Sequence, residues 1–134
     1  MPHSRSVDDD GILVTRVSGV YTLEDALDLQ NSLQEYIVDG EVYELFIHAN
    51  DVEMHWNANE ALVSANTFGK TLKTLKKAAI AFVSGSNLVF GLCRQLQIQV
   101  ENEFIQICVF RNEDTAHRWL LELKLSNMVE SIGI

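Results

Sequence analysis

The chain has 134 residues, 47% of them hydrophobic and 22% charged, so it is the size of one ordinary domain and can bury a core without disulfide or metal staples. Nineteen Asp and Glu against ten Lys and Arg leave a net charge of -9, a field that repels phosphate backbones and anionic membrane surfaces and argues against nucleic acid as a partner. No apolar run approaches the roughly 18 residues of a membrane span, and MPHSRSVDDD at the start lacks the apolar stretch of a signal peptide, so a cytoplasmic protein without an integral membrane segment is expected.

ILVTRV at 12–17 is rich in β-branched residues and follows Asp10-Gly11, a turn dipeptide that can join it to a short N-terminal strand. Thr22 is placed as a helix N-cap with Glu24 and Asp25 in the first turn, and Leu23, Ala26, Leu27, Leu33 and Ile37 carry helical spacing until Gly40 supplies a stop. ELFIHA at 44–49 is the next strand, with Glu44, Phe46 and His48 on one face by alternation. After the loop comes a helix over about 57–75, whose stripe is Ala61, Ala65, Phe68, Leu72 and Leu75. Lys70, Lys73, Lys76 and Lys77 stand near its end, either as a small basic patch or as cations complementing the helix dipole.

AAIAFVS at 78–84 has no polar residue before Ser84, as expected of a strand covered on both faces. The turn VSGSN leads into a helix carrying Leu88, Leu92 and Leu96, and FIQICVF at 104–110 is a fourth clear strand. Glu113 and Asp114 open a last helix with Ala116, Trp119, Leu120 and Leu123 as its core face. The tail after Leu125 keeps Met128, Val129, Ile132 and Ile134, to be packed on its own domain or against a second copy. Strands separated by helices of this length imply βαβ crossovers, hence a small α/β domain with a largely parallel sheet, spanning 1–134 with its core at about 7–123.

Chemistry is sparsely signalled. GxGxxG, GxxxxGK[ST], HExxH and GxSxG are all missing, and Cys93 and Cys108, lacking CxxC spacing, sit among apolar neighbours as buried, inert thiols. Two stretches draw attention. HANDVEMHWN at 48–57 gathers histidines and acids, so His48, Asp51 and His55 could in principle ligate a transition metal, although the spacing matches no tight ligand signature. Ser84-Gly85-Ser86 before a helix start can offer free N–H groups to an anion, or can serve as an ordinary capped turn.

The succession GILVTRVSGVYTLEDALDLQNSL, YELFIHANDVEMHWNANEAL, KKAAIAFVSGSN and FIQICVFRNEDTAHRWLLE resembles the SpoIIAA-like branch of the STAS domains, a group related to anti-sigma-factor antagonists. The most specific pieces are Val17, Gly19, Thr22, Glu24 and Asp25 at the start of the first helix and Glu113, Asp114, Ala116, Trp119 and Leu120 in the last. These are caps and core residues, so the resemblance speaks to fold more than to activity. It implies a four- or five-stranded mixed sheet with about four helices packed mainly on one face, in a small regulatory or binding module. In the antagonists, the loop after the second strand carries an Asp-Ser pair whose serine is phosphorylated. Here His55, Trp56 and Asn57 stand at that place, and no hydroxyl follows until Ser64.

The expected function is therefore a non-enzymatic module without the phosphoserine switch and without a cofactor. It would bind a protein partner or a small anionic or apolar ligand through residues 50–57 and the start of the second helix. Asp51, Trp56 and Asn57 are its candidate contacts, with Ser84 and Ser86 at the second turn, and a homodimer is expected. Trp56 either anchors the partner or folds back over the helix as a hydrophobic staple. Two alternatives stand beside it: a small carrier of an apolar or acyl ligand held between the sheet and the second and third helices, and a metal-dependent enzyme using His48, Asp51 and His55.

Overall fold

In the computed structural model, residues 3–131 are described. β1 (His3–Val7) and β2 (Leu13–Val17) pair antiparallel across the aspartate-rich turn, where Asp8 Oδ1 accepts from the backbone N–H groups of Asp10 and Ile12. From β2 onward every pairing is parallel: β2 with β3 (Glu41–His48), β3 with β4 (Lys77–Val83) and β4 with β5 (Ile105–Phe110). The sheet order is β1-β2-β3-β4-β5.

Each parallel crossover steps to the neighbouring strand in the same direction. Crossovers of one hand then place their helices on the same face. α1 (Leu23–Ser32), α2 (Ala58–Leu72) and α3 (Asn87–Val100) cover that face, where Ala26, Leu29, Phe68, Leu72, Val89 and Cys93 share one apolar cluster with residues of β2, β3, β4 and β5. The opposite face is left to α4 (Glu113–Ser131), whose Ala116 and Leu120 pack on Tyr43, Leu45, Ile47, Ala79, Ala81 and Val83. This is the mixed, largely parallel sheet with helices mainly on one face that the sequence led one to expect, with five strands.

Local chemistry sets the helix limits. Thr22 caps α1 and Asn57 caps α2, each in a reciprocal capping box with the acid three residues on. Asn112 caps α4 by accepting from Thr115 N at 3.0 Å. The first helix is shorter than its periodicity suggests: α1 ends at Ser32, and Leu33–Tyr36 form a 3-10 turn, so Gly40 does not stop an α-helix. Instead Asp39 (φ 53) and Gly40 (φ 76) make a tight reversal between the bridged residues Val38 and Glu41, and two successive positive φ values explain the Asp-Gly dipeptide. α4 runs on through the stretch expected to be a tail, as far as Ser131; Ile132 and Ile134 lie outside the described residues. Among the described residues, no helix is long and apolar enough to cross a membrane.

Candidate functional site

Alternation along β3 points Glu44, Phe46 and His48 toward the three-helix face, which places two polar side chains inside the core. Glu44 is 1% exposed, and its Oε2 accepts from Arg5 Nη2 at 2.9 Å and from Thr15 Oγ1 at 2.6 Å. Arg5, from β1, also donates to Thr15 Oγ1, Leu29 O and Ser32 Oγ, and it lies over the Tyr36 ring. The guanidinium fork thus ties the edge strand, β2, β3 and α1 together and neutralises the carboxylate.

His48 Nδ1 lies 3.2 Å from Val83 O. A carbonyl only accepts, so Nδ1 carries the proton and Nε2 is the bare nitrogen. Burial pushes the imidazole down to about 4, and at neutral pH His48 is uncharged. Around it stand the rings of Tyr21, Phe46 and Phe82, with centroids 6.2, 5.0 and 6.1 Å away. Burial, with the nearby Glu44 carboxylate, also pushes the Tyr21 hydroxyl up, and burial alone raises the Cys93 thiol to about 12. Both stay protonated.

These residues line a cavity of about 520 Å3 between β3–β4 and the three helices. Phe46 and Phe82 form its floor, Leu29 and Gln30 of α1 and Ala61, Ala65 and Phe68 of α2 part of its walls, and Cys93 and Leu96 the α3 side. Leu62 and Ile98, 46% and 77% exposed, are also lining residues, so an apolar rim connects the interior with solvent between α2 and α3. Chemically the space can hold a largely apolar molecule and offer it hydrogen-bonding groups that are uncharged apart from the mutually paired Arg5 and Glu44.

The loop after β3 is fastened over this cavity. Glu53 N donates to Gly19 O, and Tyr21 N donates to Glu53 O, a short parallel bridge beside β2. Trp56 Nε1 donates to Tyr21 O at 2.7 Å, with the two rings 5.7 Å apart, and the indole lines the cavity. Trp56 is therefore turned inward, held by the β2–α1 connection. Asp51 is exposed, and Asn57 uses its side chain to cap α2. Ser84 is buried and closes the turn on itself by accepting from Ser86 N, while Ser86 Oγ caps α3 by accepting from Val89 N. Neither serine lines the cavity.

The possible metal trio does not come together: His48 is buried against Val83, while His55 is exposed beside Glu53 at 3.4 Å. Among the described residues, metal-capable atoms converge instead at Asp8, Asp10 and His117, within 4.8 Å of one another, where His117 joins α4 to the β1–β2 turn. Of the four lysines, Lys77 donates to Asn127 and Glu130 of α4, and Lys70 stands in the last turn of α2. Sequence reasoning missed Arg5, Tyr21, Gln30 and Ser64. The usable signal was Glu44 and His48 on the same face of an otherwise apolar strand, which already marked that face as holding buried polar groups.

No family model matches the chain, and neither does any curated protein. Among solved structures, it is similar to an uncharacterised protein of the DUF3478 family with a SpoIIAA-like fold from Shewanella loihica PV-4. The TM-score is 0.59 at 18% identity, over 88% of this chain and 93% of that one. The fold is SpoIIAA-like.

Proposed function

We propose that the protein is a non-catalytic binding module that houses a small, largely apolar molecule between β3–β4 and helices α1, α2 and α3. The cavity of about 520 Å3 carries this reading, being within the range of ordinary ligand sites and lined mainly by aromatic and aliphatic side chains. It favours the carrier expectation over partner docking by residues 50–57, because Trp56 is committed inward to Tyr21 and Asn57 to its cap. Loss of the phosphoserine position fits the same reading, since a module answering to its ligand needs no charge switch at that loop.

Trp56 supplies the test. In a Trp119→Phe background it is the only tryptophan, because the chain has two. Titration with dodecanol should shift its emission saturably, and Ala65→Phe, which fills the cavity from α2, should abolish the shift while circular dichroism stays unchanged. An identical, non-saturable response in both proteins would refute the proposal. A homodimer belongs to the same proposal. It would seat on α4, where Leu125, Met128 and Val129 stay exposed along one helical face, and a monomer mass in sedimentation at micromolar concentration would remove it.

A further inference from the structure

Beside the bare Nε2 of His48, three further polar groups lining the cavity have unused hydrogen-bonding capacity. Gln30 Nε2 donates to Ser64 O at 3.3 Å and to Ser64 Oγ at 3.2 Å. Because a carbonyl oxygen cannot donate, the amide nitrogen has to face Ser64 O. Gln30 Oε1 is thereby turned to a place where it is buried without a partner. On Glu44, Oε2 takes both available donors, Arg5 and Thr15, and the described residues give Oε1 none. The Tyr21 hydroxyl likewise has no hydrogen-bond partner among the described residues. Two of these are acceptors and the third can be either, so hydrogen-bond donors are what the cavity lacks. A buried acceptor left without a donor keeps its desolvation cost uncompensated, which is a strong incentive to bind a donor.

Charge narrows the choice further. Among the described residues, Arg5 and Glu44 are the only oppositely charged side chains lining the cavity, and at 2.9 Å they pair with each other. Arg5 is already spread over Glu44, Thr15, Leu29 and Ser32. A carboxylate in this space would be a second anion beside Glu44 with no cation free to meet it, and an ammonium group would face the guanidinium. Either would lose its hydration without an equivalent replacement. Resting on the cavity reading above, we infer that the ligand is an amphiphile whose head is uncharged and donates hydrogen bonds, a primary amide or a hydroxyl, received by Gln30 and Glu44. Its apolar body lies against Phe46, Phe68 and Phe82.

Calorimetric titration of the wild-type chain with dodecanamide, dodecanol, dodecanoate and methyl dodecanoate at neutral pH tests the head group, because all four share the tail. The amide and the alcohol should bind at least about tenfold more tightly than either the carboxylate or the ester, the ester being uncharged but unable to donate. Gln30→Met should erase most of the amide's advantage while leaving the ester's affinity unchanged. Equal affinities across the series, or tightest binding of dodecanoate, would overturn the head-group inference and leave the cavity reading intact. No saturable binding of any of the four would overturn both.

Discussion

At the scale of single residues, the molecule is organised by polar groups in places where apolar ones are the rule. Removing one member of the Arg5–Glu44 pair strands the other. Arg5→Met should cost about 3–5 kcal/mol in urea unfolding, and Arg5→Met with Glu44→Leu should recover much of it, since an uncompensated buried charge outweighs the loss of the pair itself. A double variant no more stable than the single one would contradict this. His48 makes a pH-dependent contribution of definite sign. Its folded value of about 4 lies below the ordinary 6.5, so the unfolded chain takes up the proton first. Stability is full above the unfolded value and falls as pH drops from 6.5 toward 4, by on the order of 3 kcal/mol. His48→Phe should flatten that part of the stability profile, and an unaltered slope between the two values would show that His48 is not its source. Glu44 and His48 could be recognised in the sequence because strand alternation placed them with Phe46. Arg5, whose partners lie 10 to 39 positions away, could not.

At the scale of elements, capping chemistry was the most readable part of the chain. The cap at Thr22 needs only four consecutive residues and was read as one, whereas Asn57, read as a contact residue, forms the same kind of box at the start of α2. Where the fold departs from periodicity, a longer-range constraint has intervened. Leu33 stays fully buried and Ile37 still packs on the core, yet the chain leaves the α-helix at Ser32 to reach the reversal at Asp39-Gly40 and enter β3. Loop 50–57 illustrates the same limit, because the residues that fix its conformation are Gly19 and Tyr21, more than thirty positions earlier. Two neighbouring substitutions separate its roles. Asn57→Ala removes a cap and should cost about 1 kcal/mol with ligand affinity intact. Trp56→Ala removes a cavity wall and the hydrogen bond to Tyr21 O, and should cost about 3 kcal/mol and weaken dodecanol binding by at least about tenfold. Equal effects of the two on binding would mean that the loop acts only through the start of α2.

At the scale of the whole molecule, an open cavity in a 134-residue domain follows from the topology. Three successive crossovers in one direction put α1, α2 and α3 side by side on one face, and α4 alone has to cover the other. The βαβ pattern made the parallel sheet legible in the sequence. The gap beneath the three helices was legible only as an alternative, a carrier site between the sheet and the second and third helices, because its size depends on how far small residues such as Ala61 and Ala65 hold α2 from Phe46 and Phe82, a matter of packing rather than of spacing. Filling such a gap should stabilise the entire cooperative unit. A ligand that binds only the folded chain, at one hundred times its dissociation constant, adds about 2.7 kcal/mol, which for a domain of this size raises Tm by roughly 6–10 °C. The rise should grow logarithmically with dodecanol concentration in the wild-type protein and vanish in Ala65→Phe. That variant, with the space already occupied, should melt no lower than the unliganded parent. A dodecanol-dependent rise of the same size in Ala65→Phe would place the ligand elsewhere on the molecule, and a much lower Tm for that variant would show that the space beneath α2 is closed in solution.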